Sequence, residues 1–251
     1  MTREAGRRTI LYFEPVAEVG GAERVLLSLL AHLDRTRFRP LVATIGRGPL
    51  HDELSRLGVP VRWFPRHRLS RFPATAAAVF WLAALARRTR AGWIHAQGTK
   101  AQIYAGLAAR LAGARSLWHR YDPPPPGLGA LERLAHALPR DRVIGITPAS
   151  VEGIPVRDVP IVLPGVEVPP PISPAERAEA RAALGLAPGD FVVLNVGRLQ
   201  AFKGHRHVLA AARRLAGEGV PVRVYIVGGA LFGMEPHYPA ELDRMVAASG
   251  V

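Results

Sequence analysis

The sequence predicts an α/β fold built on a mostly parallel sheet and divided into two unequal parts. Three observations carry that prediction. Short apolar runs of strand length alternate with longer stretches whose apolar residues recur at helical spacing, the rhythm of strand–helix–strand units with right-handed crossovers. Glycines stand where a strand gives way to a helix, at Gly20-Gly21 and again at Gly197. Three consecutive prolines, Pro169, Pro170 and Pro171, separate a long first set of alternating segments from a short second set.

Residues 9–13 read as a first buried strand, and the loop 14–21 opens a helix with Ala22, Val25, Leu26, Leu29, Leu30 and Leu33 on one face. Strand 40–45, a short helix 51–57 and strand 59–64 follow. The apolar stretch 74–86, with Phe80, Trp81 and Leu82, is shorter than the ~20 residues of a membrane-spanning helix. It reads as a core helix behind the basic, aromatic segment 63–71, a mixture that also suits a peripheral membrane contact. Strand 93–96, helix 100–112, strand 115–119, helix 128–138 and strand 142–146 continue the alternation. Pro148, Gly153 and Pro155 preclude a full helix over 147–158, and 159–163 is expected to be a last strand.

Residues 1–168 therefore form a complete first domain, 169–174 a linker, and 175–251 a partial second domain. Ser173, Pro174 and Glu176 compose a helix start, with a capping serine, a first-turn proline and a reciprocal glutamate. Strand 191–196, helix 205–216, strand 222–227 and helix 239–249 make up the second set.

Composition narrows the class. The hydrophobic content of 49% is ample for a packed core. The absence of cysteine excludes disulfides and thiolate chemistry and is consistent with a cytoplasmic location. The basic start, residues 1–8, is followed by an apolar run of only 10–13, too short for a signal-peptide core. A net charge of +13 suggests nucleic acid, an anionic membrane or phosphorylated small molecules as partners. The arginines are scattered and lack repeated aromatic–basic stacking units, which disfavours nucleic acid.

The sharpest local signal is the run from Asn195 to Gly204. A strand, a glycine-containing loop and a helix offer backbone N–H groups to an anion, and Arg198 and Lys203 add two cations. Of 33 basic residues only Lys100 and Lys203 are lysines, and the compact ammonium is not interchangeable with an arginine fork at a phosphate. Such a loop suits a diphosphate. Gly20-Gly21 either makes a tight strand-to-helix turn or admits an anion or sugar, and it lacks the third glycine of a dinucleotide fingerprint. Gln97, Gly98, His119 and Tyr121 fall at or just past strand ends, where ligands of open parallel sheets bind.

Gly197-Arg198-Leu199 with Lys203-Gly204 resembles the phosphate loop of the retaining, GT-B-fold glycosyltransferases of family four. Two further stretches match the same family in order: Gly20-Gly21-Ala22-Glu23-Arg24, and Ile226-Val227-Gly228-Gly229. The resemblance implies two Rossmann-like domains, a complete N-terminal one on the acceptor side and a partial C-terminal one for the nucleotide sugar. It implies transfer of a sugar, with retention and without a metal or other cofactor, from a nucleotide-diphosphate donor to an acceptor in the inter-domain cleft. That acceptor would be a glycan or lipid-linked glycan, reached at the inner face of the membrane. His119 takes the catalytic position, because a family histidine after the corresponding strand approaches the donor sugar; His95 is its competitor. Gly20, Gly21, Gly197, Arg198, Lys203, Gly204, Gly228 and Gly229 become substrate-binding candidates. Family members carry two glutamates with seven residues between them later in the second domain. Glu235 and Asp243 mimic the separation but precede the required strands, so the chain is expected to be truncated within its donor domain and inactive alone. The alternative is a non-catalytic basic protein that binds nucleic acid or an anionic membrane surface.

Overall fold

The structure is a computed structural model that describes residues 7–230 and 235–251; residues 1–6 of the basic start lie outside the described residues. The chain divides into two compact units, Met1–Glu167 and Val168–Val251.

In the first unit, strand β1 (Arg8–Glu14) leads to helix α1 (Gly21–Ala31), β2 (Phe38–Ile45), α2 (Leu50–Arg56) and β3 (Val61–Phe64). Then come α3 (Phe72–Thr89), β4 (Ala91–Gln97), α4 (Gly98–Ala112), β5 (Arg115–Arg120), α5 (Ala130–Ala137) and β6 (Arg142–Gly145). Among the described residues these strands make one six-stranded sheet in the order β3-β2-β1-β4-β5-β6, all pairs parallel. The chain thus winds outward from β1 in both directions, and every strand ends at the same edge.

Alternation along the central strands explains why both faces are covered. Leu11 and Phe13 of β1 and Ala43 and Ile45 of β2 pack against Val79 and Leu82 of α3 and Tyr104 of α4. Their neighbours Tyr12 and Val42 point the other way, onto Leu26 and Leu30 of α1 and Leu54 of α2. Each fully buried leucine contributes ~1.5–3 kcal/mol relative to exposure, so a one-residue slip that turned these rows over would unfold the unit. Helix α4 begins at Gly98 with φ +83, a left-handed conformation that a residue with a side chain rarely adopts.

Some boundaries differ from expectation. Helix α5 is shorter than 128–138, because Gly127 and Leu128 adopt positive φ and break the turn before it. Residues 159–163 form only an isolated parallel bridge between Gly145 and Ile161. Val162 N–H reaches Gly145 O at 2.8 Å, but Pro160 and Pro164 have no N–H with which to extend a ladder.

The second unit contains α6 (Pro174–Ala183), β7 (Phe191–Val196), α7 (His205–Gly217), β8 (Val222–Val227) and α8 (Tyr238–Ser249). Ser173 caps α6 reciprocally with Glu176, as the sequence predicts. Among the described residues its sheet has two parallel strands in the register Phe191↔Val222 to Val196↔Val227. Leu209, Tyr238 and Leu242 form a small core with Ile226. Yet Leu194 is 61% exposed, Val196 71%, and α6 buries none of its side chains, so much of this unit's apolar surface is uncovered.

Limited proteolysis should therefore cut first within the exposed segment 168–173 and leave a resistant core from the first unit, identified by mass spectrometry. A resistant fragment retaining β7 and α7 while β1–β6 were digested would contradict this packing.

Candidate active site

The common edge of the first sheet gathers polar residues in a row. Glu14 closes β1 one residue past the Phe13–Ala96 pair, Gln97 closes β4, and His119 lies opposite Gln97 on β5. All three side chains are almost fully buried, with 3%, 4% and 4% exposure. Tyr121 hydroxyl donates to Gln97 Oε1 and lies 3.2 Å from His119 Nδ1. His95 stacks on His119 with centroids 5.3 Å apart. Glu14 Oε2, Gln97 Nε2, His95 Nε2 and His119 Nε2 find no hydrogen-bond partner among the described residues. Such unpaired buried groups cost about 1–3 kcal/mol each, and sites that bind ligands are where such a cost is retained.

Burial dominates the electrostatics. It holds the His119 imidazole down at about 4, and that of His95 at about 3 with help from the charge of His119. It also pushes the Glu14 carboxyl well above the usual range, reinforced by Glu23 and opposed by Lys100. The two imidazoles are therefore neutral near neutral pH, and burial favours the protonated form of the Glu14 carboxyl.

Two features fix the geometry around the row. Gly20 N–H donates to Glu23 Oε2 at 2.8 Å, so the chain's own carboxylate already occupies that donor at the start of α1. Gly21 still opens onto free space, with no described atom within 4 Å of where a Cβ would stand. Behind the row, Arg120 is 1% exposed; it donates to Glu132 Oε2 and to Ser150 O, each at 2.8 Å. Thr99 hydroxyl donates to Glu132 Oε1 at 2.6 Å. One carboxylate of α5 thus ties the β4–α4 junction to the strand end that carries His119 and Tyr121. A cavity of about 460 Å³ reaches His119 between α1 and residues 162–167, lined by Val25, Leu29, Val162 and Leu163 among others.

In the second unit Gly197, Arg198, Lys203 and Gly204 do share one loop, with Gly228 and Gly229 beside it. A Cβ on Gly228 would stand 1.7 Å from Gly197 O, so only glycine lets the two strand ends approach. Gly197 N–H donates to Val227 O and Leu199 N–H to Gly229 O, clamping the loop to the end of β8. Lys203 lays its stem over Gly197 and its ammonium 4.8 Å from the centroid of Phe202, with Arg198 at 5.6 Å from the same ring.

The loop's backbone corrects one expectation. The N–H groups of Gly197, Leu199, Gln200, Lys203 and Gly204 are all engaged by carbonyls of the chain. Ala201 N–H donates to Glu235 Oε2 at 2.9 Å, so the loop already takes up a carboxylate. Beside these occupied donors the loop carries the cations of Arg198 and Lys203 and the start of α7, whose cap Gly204 has no side chain to satisfy it.

Sequence reasoning missed Glu14 and Gln200. An acidic residue closing an otherwise apolar strand was the available signal for Glu14. Gln200 is fully buried with both amide atoms unpaired, and nothing in the sequence marks it. Glu235, set aside with Asp243 as a decoy, proves to be a loop contact, whereas Asp243 is exposed on α8.

The two imidazoles generate a pH dependence with a definite sign. Their folded-state values lie below the ordinary 6.5, so their stabilising contribution is present above pH 6.5 and lost as pH falls toward about 4 and 3. For His119 the loss is on the order of 3 kcal/mol. Urea midpoints measured from pH 7 to pH 4 should fall less steeply for His119→Asn than for the parent chain; identical slopes would contradict the burial of His119.

Comparison with known proteins follows the same geometry. The family profile described as Glycosyltransferase Family 4 matches residues 19–196. D-inositol 3-phosphate glycosyltransferase of Rhodococcus erythropolis is 40% identical over 73 residues, 28% of this chain and 16% of that protein. The enzyme of the same name from Mycobacterium sp. (strain KMS) is 37% identical over 115 residues, 43% of this chain and 25% of that protein. Among solved structures, Anabaena Alr3699/HepE in complex with UDP-glucose superposes with a TM-score of 0.78 at 25% identity, over 96% of this chain and 66% of that one. The galactosyltransferase WaaB, at 19% identity and a TM-score of 0.62, shares the fold. The chain therefore spans just under two thirds of the HepE chain, and its matches to the curated relatives cover a quarter of their length or less. With a profile match over most of its length and this two-unit α/β architecture, the chain belongs to glycosyltransferase family 4.

Proposed function

We propose that this protein transfers a sugar from a nucleotide-diphosphate donor to an acceptor hydroxyl, with retention of configuration. The observation that carries the reading is the loop between β7 and α7, where Arg198 and Lys203 flank a strand end that only Gly228 allows to close. In an anomeric substitution the sugar becomes oxocarbenium-like while the diphosphate departs with growing negative charge. Arg198, Lys203 and the N-terminus of α7 meet that charge, and the reading requires no metal ion. In this reading the row of Glu14, Gln97 and His119 in the first unit orients sugar hydroxyls, with His119 as the catalytic side chain. A UDP-sugar is the donor class supported by the likeness to HepE, which binds UDP-glucose.

The acceptor belongs to the glycan or lipid-linked glycan class in this reading, met at the cytoplasmic face of the membrane. These 251 residues by themselves are proposed to turn over poorly, because the second unit leaves its two-stranded sheet and α6 largely uncovered.

Lys203→Ala and Arg198→Ala should each lower kcat by about 10²–10³, the scale of losing one transition-state donor. Neither should shift the urea midpoint by more than a fraction of a unit, since Lys203 is exposed and Arg198 only half-buried. Wild-type turnover in both variants, measured as sugar release from a UDP-sugar, would remove the assignment.

A further inference from the structure

The net charge is not spread evenly along the chain. Between Glu53 and Asp122 there is no acidic residue, while the same interval holds eleven arginines and Lys100. That interval runs from the edge strand β3 through α3 to α4 and β5, all in the first unit.

Helix α3 is the element of interest. Its inward residues Ala78, Val79, Leu82, Ala83 and Ala86 belong to the core. On its outward side, Phe72, Ala76, Phe80, Ala84 and Arg88 form an i, i+4 row, with Phe72 79% and Phe80 64% exposed. Arg66, Arg68 and Arg71 precede this row and Arg87, Arg88 and Arg90 close it, and all six are exposed. The 18-residue helix is about 27 Å long, and no described helix is long and apolar enough to cross a membrane. An apolar row with cations at both ends, Arg66 among them pairing with Glu18 at 3.4 Å, is the arrangement of a helix lying in a bilayer interface, aromatics immersed and arginines reaching for headgroups.

We infer that the outward face of α3, with the arginines at its two ends, seats the protein on an anionic lipid bilayer. The charge selects the lipid, and the two phenylalanines distinguish a bilayer from a polyanion in water. Nucleic acid would stack bases on closely spaced aromatics, whereas Phe72 and Phe80 stand about 12 Å apart along the helix among alanines. The inference does not depend on the transferase reading and is tested without catalysis.

The experiment is flotation of the 251-residue chain with vesicles of phosphatidylcholine alone, or of its equimolar mixture with phosphatidylglycerol. The chain should float with the anionic vesicles only. Each basic side chain near such a surface contributes roughly fivefold in partitioning, so replacing Arg66, Arg68 and Arg71 with Gln should weaken binding about 100-fold. Phe80→Asp should abolish flotation, with an unchanged urea midpoint showing that the exposed position left the fold intact. Failure of the parent chain to float with anionic vesicles would overturn the inference. So would undiminished flotation of folded Phe80→Asp, or binding to poly(U) RNA that competes the chain off the vesicles and is likewise insensitive to Phe80→Asp, since charge alone would then explain the patch.

Discussion

The account rests on a cost that the fold does not remove. Glu14, Gln97 and His119 are buried at the end of three adjacent parallel strands, and each keeps a polar atom without a partner among the described residues. In a parallel sheet all strands finish at one edge, so such groups accumulate there and cannot be paired by the ladder. The unit tolerates them because both faces of the sheet are covered by apolar helices and because Arg120 and Glu132 clamp the strand ends from behind. The same burial raises the carboxyl of Glu14 and lowers the imidazoles of His95 and His119.

Much of the fold was legible in the sequence because the central strands are buried on both faces and read as apolar runs. The periodicity of α1 placed Leu26 and Leu30 inward correctly, but Leu29 is exposed, Leu27 is buried in its stead, and the helix ends at Ala31 before Leu33. Boundaries were less so where proline or positive φ intervened: residues 159–163 look like a strand by composition, but Pro160 and Pro164 reduce them to one bridge. The early part of α5 was lost to Gly127 and Leu128 for a related reason, since local backbone conformation overrode helical spacing.

The site was legible in its glycines and only partly in its chemistry. Gly197, Lys203 and Gly228 announce the loop by type and order. The number of loop N–H groups already bound to the chain's own carbonyls, and the carboxylate of Glu235 on Ala201, depend on how β8 and the segment before α8 return to the loop. No spacing rule conveys that. Glu14 escaped because one acidic residue at a strand end normally faces water, and its burial is a property of α1 and β4 together. The carboxylate-free interval around α3 was present in the sequence throughout, but its meaning needed the structure to show which side of the helix faces out.

The central claim is that the Gly197–Gly204 loop holds the donor's diphosphate. A crystal structure of the protein with UDP bound tests it most directly. The account predicts the β-phosphate within hydrogen-bonding distance of Lys203 Nζ and of the first turn of α7, with Arg198 on the same diphosphate. A diphosphate seated elsewhere, with Lys203 still lying over Phe202 and untouched by it, would contradict the account.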